Sequence, residues 1–392
     1  MTRQLGYGLI SVGWMGRLHS IALQRSRLHY PELGLRPRFV IAADPLAEQA
    51  RYAVDVLGYE ASTPDWREVI AHPEVEAVSI AAPNAFHREM AVYAAEHGKH
   101  IWLEKPAGLG VADTAAIAAA VARHGVRSTI GFNYRHVPAV AAIRRLIADG
   151  ELGPITHVRG YFLADYAADP GVALTWRFSR ELGGAGVIDD LMSHVVDLLQ
   201  FLVGPIAEVA ATEAITVAQR PRAAPGAAHF SRGSSSDLGP VENPDLCSAV
   251  LRFANGAIGS ADVGRVSVGH PCGLGFEIGG AKGFVSWNFE RMLEFAAHAQ
   301  VSAAVKGVTQ VIASPAHGDY AHFQPGPAIA MSYDDLKVIE AAGFLRLIEG
   351  ETSDNATADD ALAVSRVLDA ISRASQSRMW CGISAEPSER EV

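Results

Sequence analysis

The sequence predicts an α/β N-terminal domain on a parallel sheet, followed by an α+β C-terminal domain with a large, mostly antiparallel open sheet. Strand-like and helix-like segments alternate through the first 132 residues, the pattern of crossover-linked parallel strands. Strand-like runs then succeed one another from Thr156 to Phe289, which indicates a separate sheet. At 392 residues the chain also exceeds what one core normally holds. The boundary is set at residue 132, giving domains 1–132 and 133–392.

Tyr7–Val12 reads as a short buried strand, and Gly13-Trp14-Met15-Gly16 turns it into a helical stretch, Arg17–Arg27. The dinucleotide fingerprint G-x-G-x-x-G falls on Ser11, Gly13 and Gly16, so a serine stands at the first glycine. The second glycine lets the backbone approach a pyrophosphate, and the third permits close helix–strand packing. A helix N-terminus there offers unpaired N–H groups to the anion. Phe39–Ala43 is the next strand and ends in Asp44-Pro45, with His29–Arg38 expected as an inserted loop. Asp44 is placed to accept from an adenosine ribose, and its charge repels a 2′-phosphate, which favours NAD over NADP. A Rossmann domain is the expectation, although Asp44 also suits a plain turn before proline.

Val75–Ala81 forms the third strand, Pro83-Asn84 the turn after it, and His87–Gly98 a helix with apolar residues at helical spacing. Lys99–Leu103 follows and ends in Glu104-Lys105-Pro106. Ligands of open parallel sheets bind outside the carboxyl ends of the strands, so this places an ammonium group on the binding rim. Proline stops the ladder immediately afterwards. Taken alone, the tripeptide reads as an ordinary strand end with a solvated lysine. Thr129–Phe132 is a late strand.

Pro138–Asp149 is a helix closed by Gly150, at home in a left-handed cap. Strands are expected at Thr156–Leu163, Ile206–Val217, Leu246–Phe253, Ala257–Val268, Phe276–Gly279 and Gly283–Phe289. Asn255-Gly256 between two of them is a hairpin signal. Gln219–Pro244, rich in Ser, Gly, Pro and Ala, reads as a linker or a mobile lid.

Composition narrows the function. With 49% hydrophobic and 19% charged residues the chain has globular composition. A net charge of −10 argues against nucleic-acid phosphates as partner. Cys247, Cys272 and Cys381 are too scattered for a disulfide framework or a zinc pattern. No leader precedes the first strand and no apolar run reaches membrane-spanning length, so a cytoplasmic setting is expected.

Past the glycines at 183, 184 and 186, an amphipathic helix is expected to carry Asp190, His194 and Asp197. Asp190 and His194, four apart, share a face of such a helix. On its own this pair reads as a helix i,i+4 contact. His317, Asp319 and His322 lie on a Gly/Pro-rich stretch and match no metal-site spacing, so loop residues are expected there and no metal.

The runs Gly13–His19, Pro83–His87, Gly98–His100, Glu104–Pro106, Gly131–Arg135, Gly150–Gly153, Gly183–Asp190 and His194–Asp197 together resemble the Gfo/Idh/MocA oxidoreductase family, from about residue 5 to about residue 375. Chain length and Thr175-Trp176-Arg177-Phe178 resemble its branch acting on pyranose sugars, such as levoglucosan and glucoside 3-dehydrogenases. The resemblance implies an NAD-dependent oxidoreductase of sugars, sugar derivatives or cyclic polyols, with Lys105, Asp190 and His194 as active-site trio. Cofactor contacts are then expected at Ser11, Gly13, Trp14, Met15, Gly16, Asp44, Pro83, Asn84, His87, Glu104 and Lys105.

An alcohol loses hydride from carbon only as its hydroxyl proton leaves, and imidazole takes such a proton at neutral pH. His194 is therefore the expected base, Lys105 the stabiliser of developing alkoxide, and Asp190 the residue orienting an adjacent hydroxyl. Asn133, Tyr134, Arg135, Asp165, Trp176 and Arg177 form a second rank, since a polyol needs polar partners and aromatic faces. Singly, Arg135 also suits an ion pair, Trp176 a core position and Asp165 a turn. Two other readings stand beside this one: an NAD-dependent glycosidase working by transient oxidation, and a cofactor-binding regulator. A homodimer or homotetramer is expected, with the outward face of the second sheet covered.

Overall fold

The computed structural model describes residues 2–223, 231–233, 236–299 and 307–383. They form two compact units that are not continuous in sequence. The first gathers the chain up to 108, then 112–136 and 319–362; the second gathers 109–111, 137–318 and 363 onward. Residues 319–362 thus lie on the nucleotide-binding side of the division, whereas the sequence boundary at 132 assigns them to the second domain.

In the first unit six parallel strands run in the order β3-β2-β1-β4-β5-β6. They are β1 (Arg3–Ile10), β2 (Leu35–Ala43), β3 (Ala61–Thr63), β4 (Ala77–Ile80), β5 (His100–Leu103) and β6 (Ser128–Ile130). The crossovers carry α1 (Trp14–His29), α2 (Ala47–Asp55), α3 (Trp66–Ala71), α4 (His87–Glu96) and α5 (Val111–His124). Leu5, Leu9, Val78, Ile80, Trp102 and Leu103 are fully shielded, as a sheet covered on both faces requires. The reversal of strand order between β1 and β4 is the switch point at which such sheets bind ligands.

The loop expected at 29–38 is a correction. His29 still belongs to α1, and Leu35–Arg38 is strand, with Arg3 opposite Leu35 and Leu5 opposite Pro37. Proline is tolerated there because β3 pairs only with Ile41–Ala43, leaving Pro37 on an unpaired edge. The wide gap between glycines and Asp44 comes from a long helix and a long strand.

The second unit opens with α6 (Pro138–Ala148) and β7 (Ile155–Leu163), followed by the single turn α7 (Arg180–Gly183) and α8 (Ser193–Val203). Then come β8 (Ile206–Ala214), β9 (Gln219–Pro221), β10 (Leu238–Pro240), β11 (Leu246–Phe253), β12 (Ile258–Gly264), β13 (Gly273–Gly280), β14 (Gly283–Asn288), β15 (Glu294–Ala299) and β16 (Thr309–Ile312). Late in the chain lie α9 (Tyr333–Glu349), α10 (Ala358–Ser377) and β17 (Cys381–Gly382). Among the described residues the large sheet has the order β16-β15-β14-β13-β7-β12-β11-β8-β17, antiparallel except for the pair β7 and β12. In β11, Cys247, Ala249, Leu251 and Phe253 point inward while Val250 and Arg252 point out. Helix α8 covers the inner face: a side chain at Gly160 of β7 would collide with Val195 and Leu199.

Gln219–Pro244 is the second correction. Its described parts include the paired strands β9 and β10, and its Arg220 and Asn243 are completely buried. Residues 224–230 and 234–235 of that stretch lie outside the described residues.

Candidate active site

In the first unit, β1 ends at a turn whose residues each have a visible task. Ser11 adopts φ +73°, the left-handed conformation that the missing glycine would take freely. Gly16 has to be glycine, since a Cβ there would sit 2.0 Å from the Ser11 carbonyl oxygen. Gly13 caps α1 through its backbone alone, and the first turn of α1 carries neither a side-chain cap nor an acidic residue. Space is open beside Gly13, the nearest atom to a built Cβ being Ser11 Oγ at 3.9 Å. An uncapped helix N-terminus facing open space fits a dinucleotide pyrophosphate. Trp14 is 63% exposed and Met15 half-buried on that turn.

Asp44 is buried and accepts from Val12 N at 2.8 Å through Oδ2 and from Leu46 N at 2.9 Å through Oδ1. It therefore does hold its own turn and ties it to the glycine loop, while each carboxylate oxygen keeps a second lone pair for a ribose hydroxyl. Pro83 and the buried Asn84 begin a short 3-10 turn before α4. His87 differs from the expectation of a cofactor contact: it is fully buried, with Nδ1 2.8 Å from the Pro106 carbonyl and Nε2 2.7 Å from that of Ala82. The imidazole thus lies between the Pro83 turn and the Lys105-Pro106 corner and can donate to one of these two carbonyls at a time.

Glu104 accounts for how Lys105 is held. Its Oε1 lies 2.9 Å from His19 Nε2 and accepts from Lys337 Nζ at 2.6 Å, and its Oε2 accepts from the Lys105 backbone N–H at 3.2 Å. Lys337, wholly buried on α9, also donates to Glu340 Oε2 at 2.8 Å, and Trp102 Nε1 donates to the same oxygen at 3.2 Å. His19 stacks on Trp102 with ring centres 3.7 Å apart. Gly131 completes the arrangement, because a Cβ there would lie 2.7 Å from both Glu104 carboxylate oxygens. Lys337 and the His19 bond hold the Glu104 carboxyl well below the usual range despite burial. Burial lowers His19 to about 4 and raises Glu340 to about 7.

Asn133, Tyr134, Arg135 and His136 form one buried 3-10 turn. The Asn133 amide faces the Tyr333 hydroxyl, while His136 Nε2 has no hydrogen-bond partner among the described residues. A buried polar atom left this way suits a polar ligand. Burial holds His136 neutral, down to about 3. Arg135 lies 3.5 Å from Asp360, the ion pair its alternative reading allows. Tyr134 meets Tyr333 edge-on, and Tyr333 stacks on Trp14, so an aromatic row runs from the glycine loop to this turn.

In the second unit, Asp190 and His194 differ from the expectation of one regular helix. Ile188–Met192 is a π-helical turn, and α8 begins only at Ser193. The wider turn leaves carbonyls underused, and the Ser193 hydroxyl donates to that of Asp189 at 2.7 Å. The π turn is held at its start by Asp189, whose Oδ2 accepts from Ala185 N at 2.7 Å. Such turns recur at functional sites. Asp190 is half-buried and His194 buried, its ring 6.0 Å from that of Phe162. Asp165 and Trp176 are half-buried, and the Arg177 guanidinium stacks on Trp176 at 4.3 Å.

Four residues escaped the sequence reading. Tyr166 donates to Asp190 Oδ2 at 3.0 Å. Tyr333, Lys337 and Glu340 belong to α9, whose start was signalled by a capping box between Ser332 and Asp335. Lys337 and Glu340, three apart in an otherwise apolar run, were the sequence trace of a buried ion pair. His317 accepts from Ser314 N at 3.1 Å, and His322 pairs with the carbonyl of His29. Among the described residues no three His, Cys, Asp or Glu side chains gather as a metal site would need.

Comparison with known proteins gives two family matches. Residues 5–132 match the oxidoreductase family with NAD-binding Rossmann fold, and residues 140–286 match the GFO/IDH/MocA C-terminal domain. Levoglucosan dehydrogenase of Pseudarthrobacter phenanthrenivorans is 36% identical over 97% of this chain and 98% of its own length. The scyllo-inositol 2-dehydrogenase (NAD(+)) of Bacillus subtilis is 32% identical over 52% of this chain and 55% of its own length. A solved levoglucosan dehydrogenase complex with NADH and levoglucosan has TM-score 0.91 at 33% identity, covering 97% of this chain and all of that one.

Proposed function

The chain belongs to the Gfo/Idh/MocA family of NAD-binding oxidoreductases, and we propose that it oxidises a hydroxyl-bearing carbon of a pyranose sugar, anhydrosugar or cyclic polyol. The observation that carries this reading is the Glu104-Lys105-Pro106 corner. A buried ion network fixes it beside the cofactor rim, in a chain alike over nearly its full length to a sugar dehydrogenase. When bound, NAD supplies the hydride acceptor. Gly13, Gly16 and the N-terminus of α1 would hold its pyrophosphate, and Asp44 its adenosine ribose.

The chain's own groups handle the proton and the substrate. His194 takes the hydroxyl proton as the carbon–hydrogen bond breaks, so that the alcohol becomes a ketone and the imidazole an imidazolium. The Lys105 ammonium stabilises the developing alkoxide. Asp190 accepts from a neighbouring substrate hydroxyl. Asn133, Tyr134, Arg135, Asp165, Trp176 and Arg177 are the proposed substrate contacts, and the buried Asn133 amide together with His136 Nε2, unpartnered among the described residues, suits a polyol. A homodimer or homotetramer through the outward face of the large sheet belongs to the same proposal. The test is NAD-linked turnover against a panel of pyranoses, anhydrosugars, glycosides and inositols. NADH formation with one class supports the reading, and free sugar released without net NADH supports the glycosidase instead.

A further inference from the structure

We infer that Tyr166 is a positioning residue for Asp190, and that the buried Arg220 and Asn243 hold the surrounding backbone in place. The inference rests on Asp190 being a substrate contact, as proposed above. It begins with the hydroxyl of Tyr166, which donates to Asp190 Oδ2 at 3.0 Å. That bond fixes the orientation of the Asp190 carboxylate. Burial, then the Asp190 charge, pushes the phenol far above its ordinary value, so it stays a donor at every working pH.

Everything around Tyr166 fixes its backbone. The N–H of Ala167 donates to the Arg265 carbonyl at 2.9 Å, and its own carbonyl accepts from Arg220 Nη2 at 2.5 Å. Arg220 Nη1 donates to the Asp169 carbonyl at 2.9 Å. The phenol ring packs on the cluster of Ala167, Val172, Phe178 and Val241. Phe178 lies against two guanidinium groups, Arg220 and Arg265, each 4.5 Å from its ring centre. Arg265 in turn is neutralised by Asp245 at 2.8 Å, and both are buried.

Asn243 holds the chain that leads into the π turn. Asn243 Nδ2 donates to the carbonyls of Arg177 at 3.0 Å and Gly184 at 3.2 Å, and Arg265 donates to Asn243 Oδ1 at 2.9 Å. Arg220 at one end and Asn243 at the other thus clamp the segments that precede the π turn. A buried guanidinium spent on two backbone carbonyls contributes only if those carbonyls must keep their place.

Tyr166→Phe removes one hydroxyl and leaves the ring packing intact. With the sugar that the wild type oxidises, KM for sugar should rise about tenfold, as loss of a hydrogen bond to a charged group implies. KM for NAD and the thermal midpoint should stay near wild type. Arg220→Met, which keeps the chain volume but drops both donors, should raise KM for sugar as well, and the two effects should fall short of additive. A merely structural residue would lower the thermal midpoint and the active fraction, leaving KM for sugar unmoved. Unchanged KM for sugar in Tyr166→Phe overturns the inference while the wild type still turns over. A wild type without NAD-linked turnover on any sugar overturns the functional reading, and this inference with it.

Discussion

Ser11 is an L-residue held at φ +73° where the fingerprint expects glycine, a conformation that costs an L-residue on the order of 1 kcal/mol. Ser11→Gly should relieve that strain, offset in part by the freer unfolded chain, so stability should hold or rise by up to about 1 kcal/mol. Denaturant unfolding reads this, and a clear destabilisation would show that the serine side chain supports the turn. Lys105→Ala and His194→Ala test the chemistry: each should cut turnover by on the order of 10²- to 10⁴-fold while NAD affinity stays near wild type. The oxidation rate should also rise with pH as the proton acceptor is freed of its own proton, and that limb should vanish in His194→Ala. Near wild-type turnover in His194→Ala would make Lys105 the leading base. The place of Lys105 just past a strand end was legible because strand, lysine and proline adjoin in sequence. Tyr166 was not: its role depends on a bond to a residue 24 positions away and on two later arginines, one in β9 and one just past β12.

Helix α9 brings Lys337 and Glu340 to Glu104, and its network makes a signed prediction about pH. Glu340 is raised to about 7, so the folded state binds its proton more tightly than the unfolded one. Its contribution is full below about 4.5 and is lost as pH rises through 7, on the order of 3 kcal/mol. His19 is lowered to about 4, which has the opposite sign: its contribution is full above about 6.5 and is lost as pH falls through 4, by a similar amount. The two slopes largely cancel between pH 4.5 and 6.5. Glu340→Gln should therefore make unfolding free energy rise with pH across that window, and His19→Gln should make it fall. Parallel curves for both variants would contradict the burial of one or the other charge. Lys337→Met should cost about 3–5 kcal/mol, since it strands Glu104 in the interior, and adding Glu104→Gln should recover part of it. The π turn at Ile188–Met192 was equally hidden from sequence, because Asp190 and His194 read as a plain i,i+4 pair. Only the Asp189 and Ser193 bonds reveal why the helix widens.

At the scale of the whole molecule, local apolar patterning sufficed for five of the six parallel strands and for most of the large sheet, while the three-residue β3 was too short to leave a pattern. The return of 319–362 to the first unit was not legible, being set by contacts such as Ile130 N to the Ala356 carbonyl at 2.8 Å. The same holds for Gln219–Pro244, whose loop-like composition hides the buried Arg220 and Asn243. The outward face of the large sheet mixes Val250 and Ile258, 50% and 57% exposed, with Arg159, Arg252 and Glu277. Homo-oligomers bury such faces, so light scattering at micromolar concentration should give a dimer or tetramer; a monomer would remove that proposal. The central claim is hydride transfer from a sugar or polyol hydroxyl to NAD. It is tested most directly by following NADH formation with the purified chain across pyranoses, anhydrosugars, glycosides and inositols, with NAD and NADP in parallel. NADH should form in step with oxidised sugar for one of these classes, with NAD preferred. No reduced cofactor with any of them, or faster reduction of NADP, would contradict it.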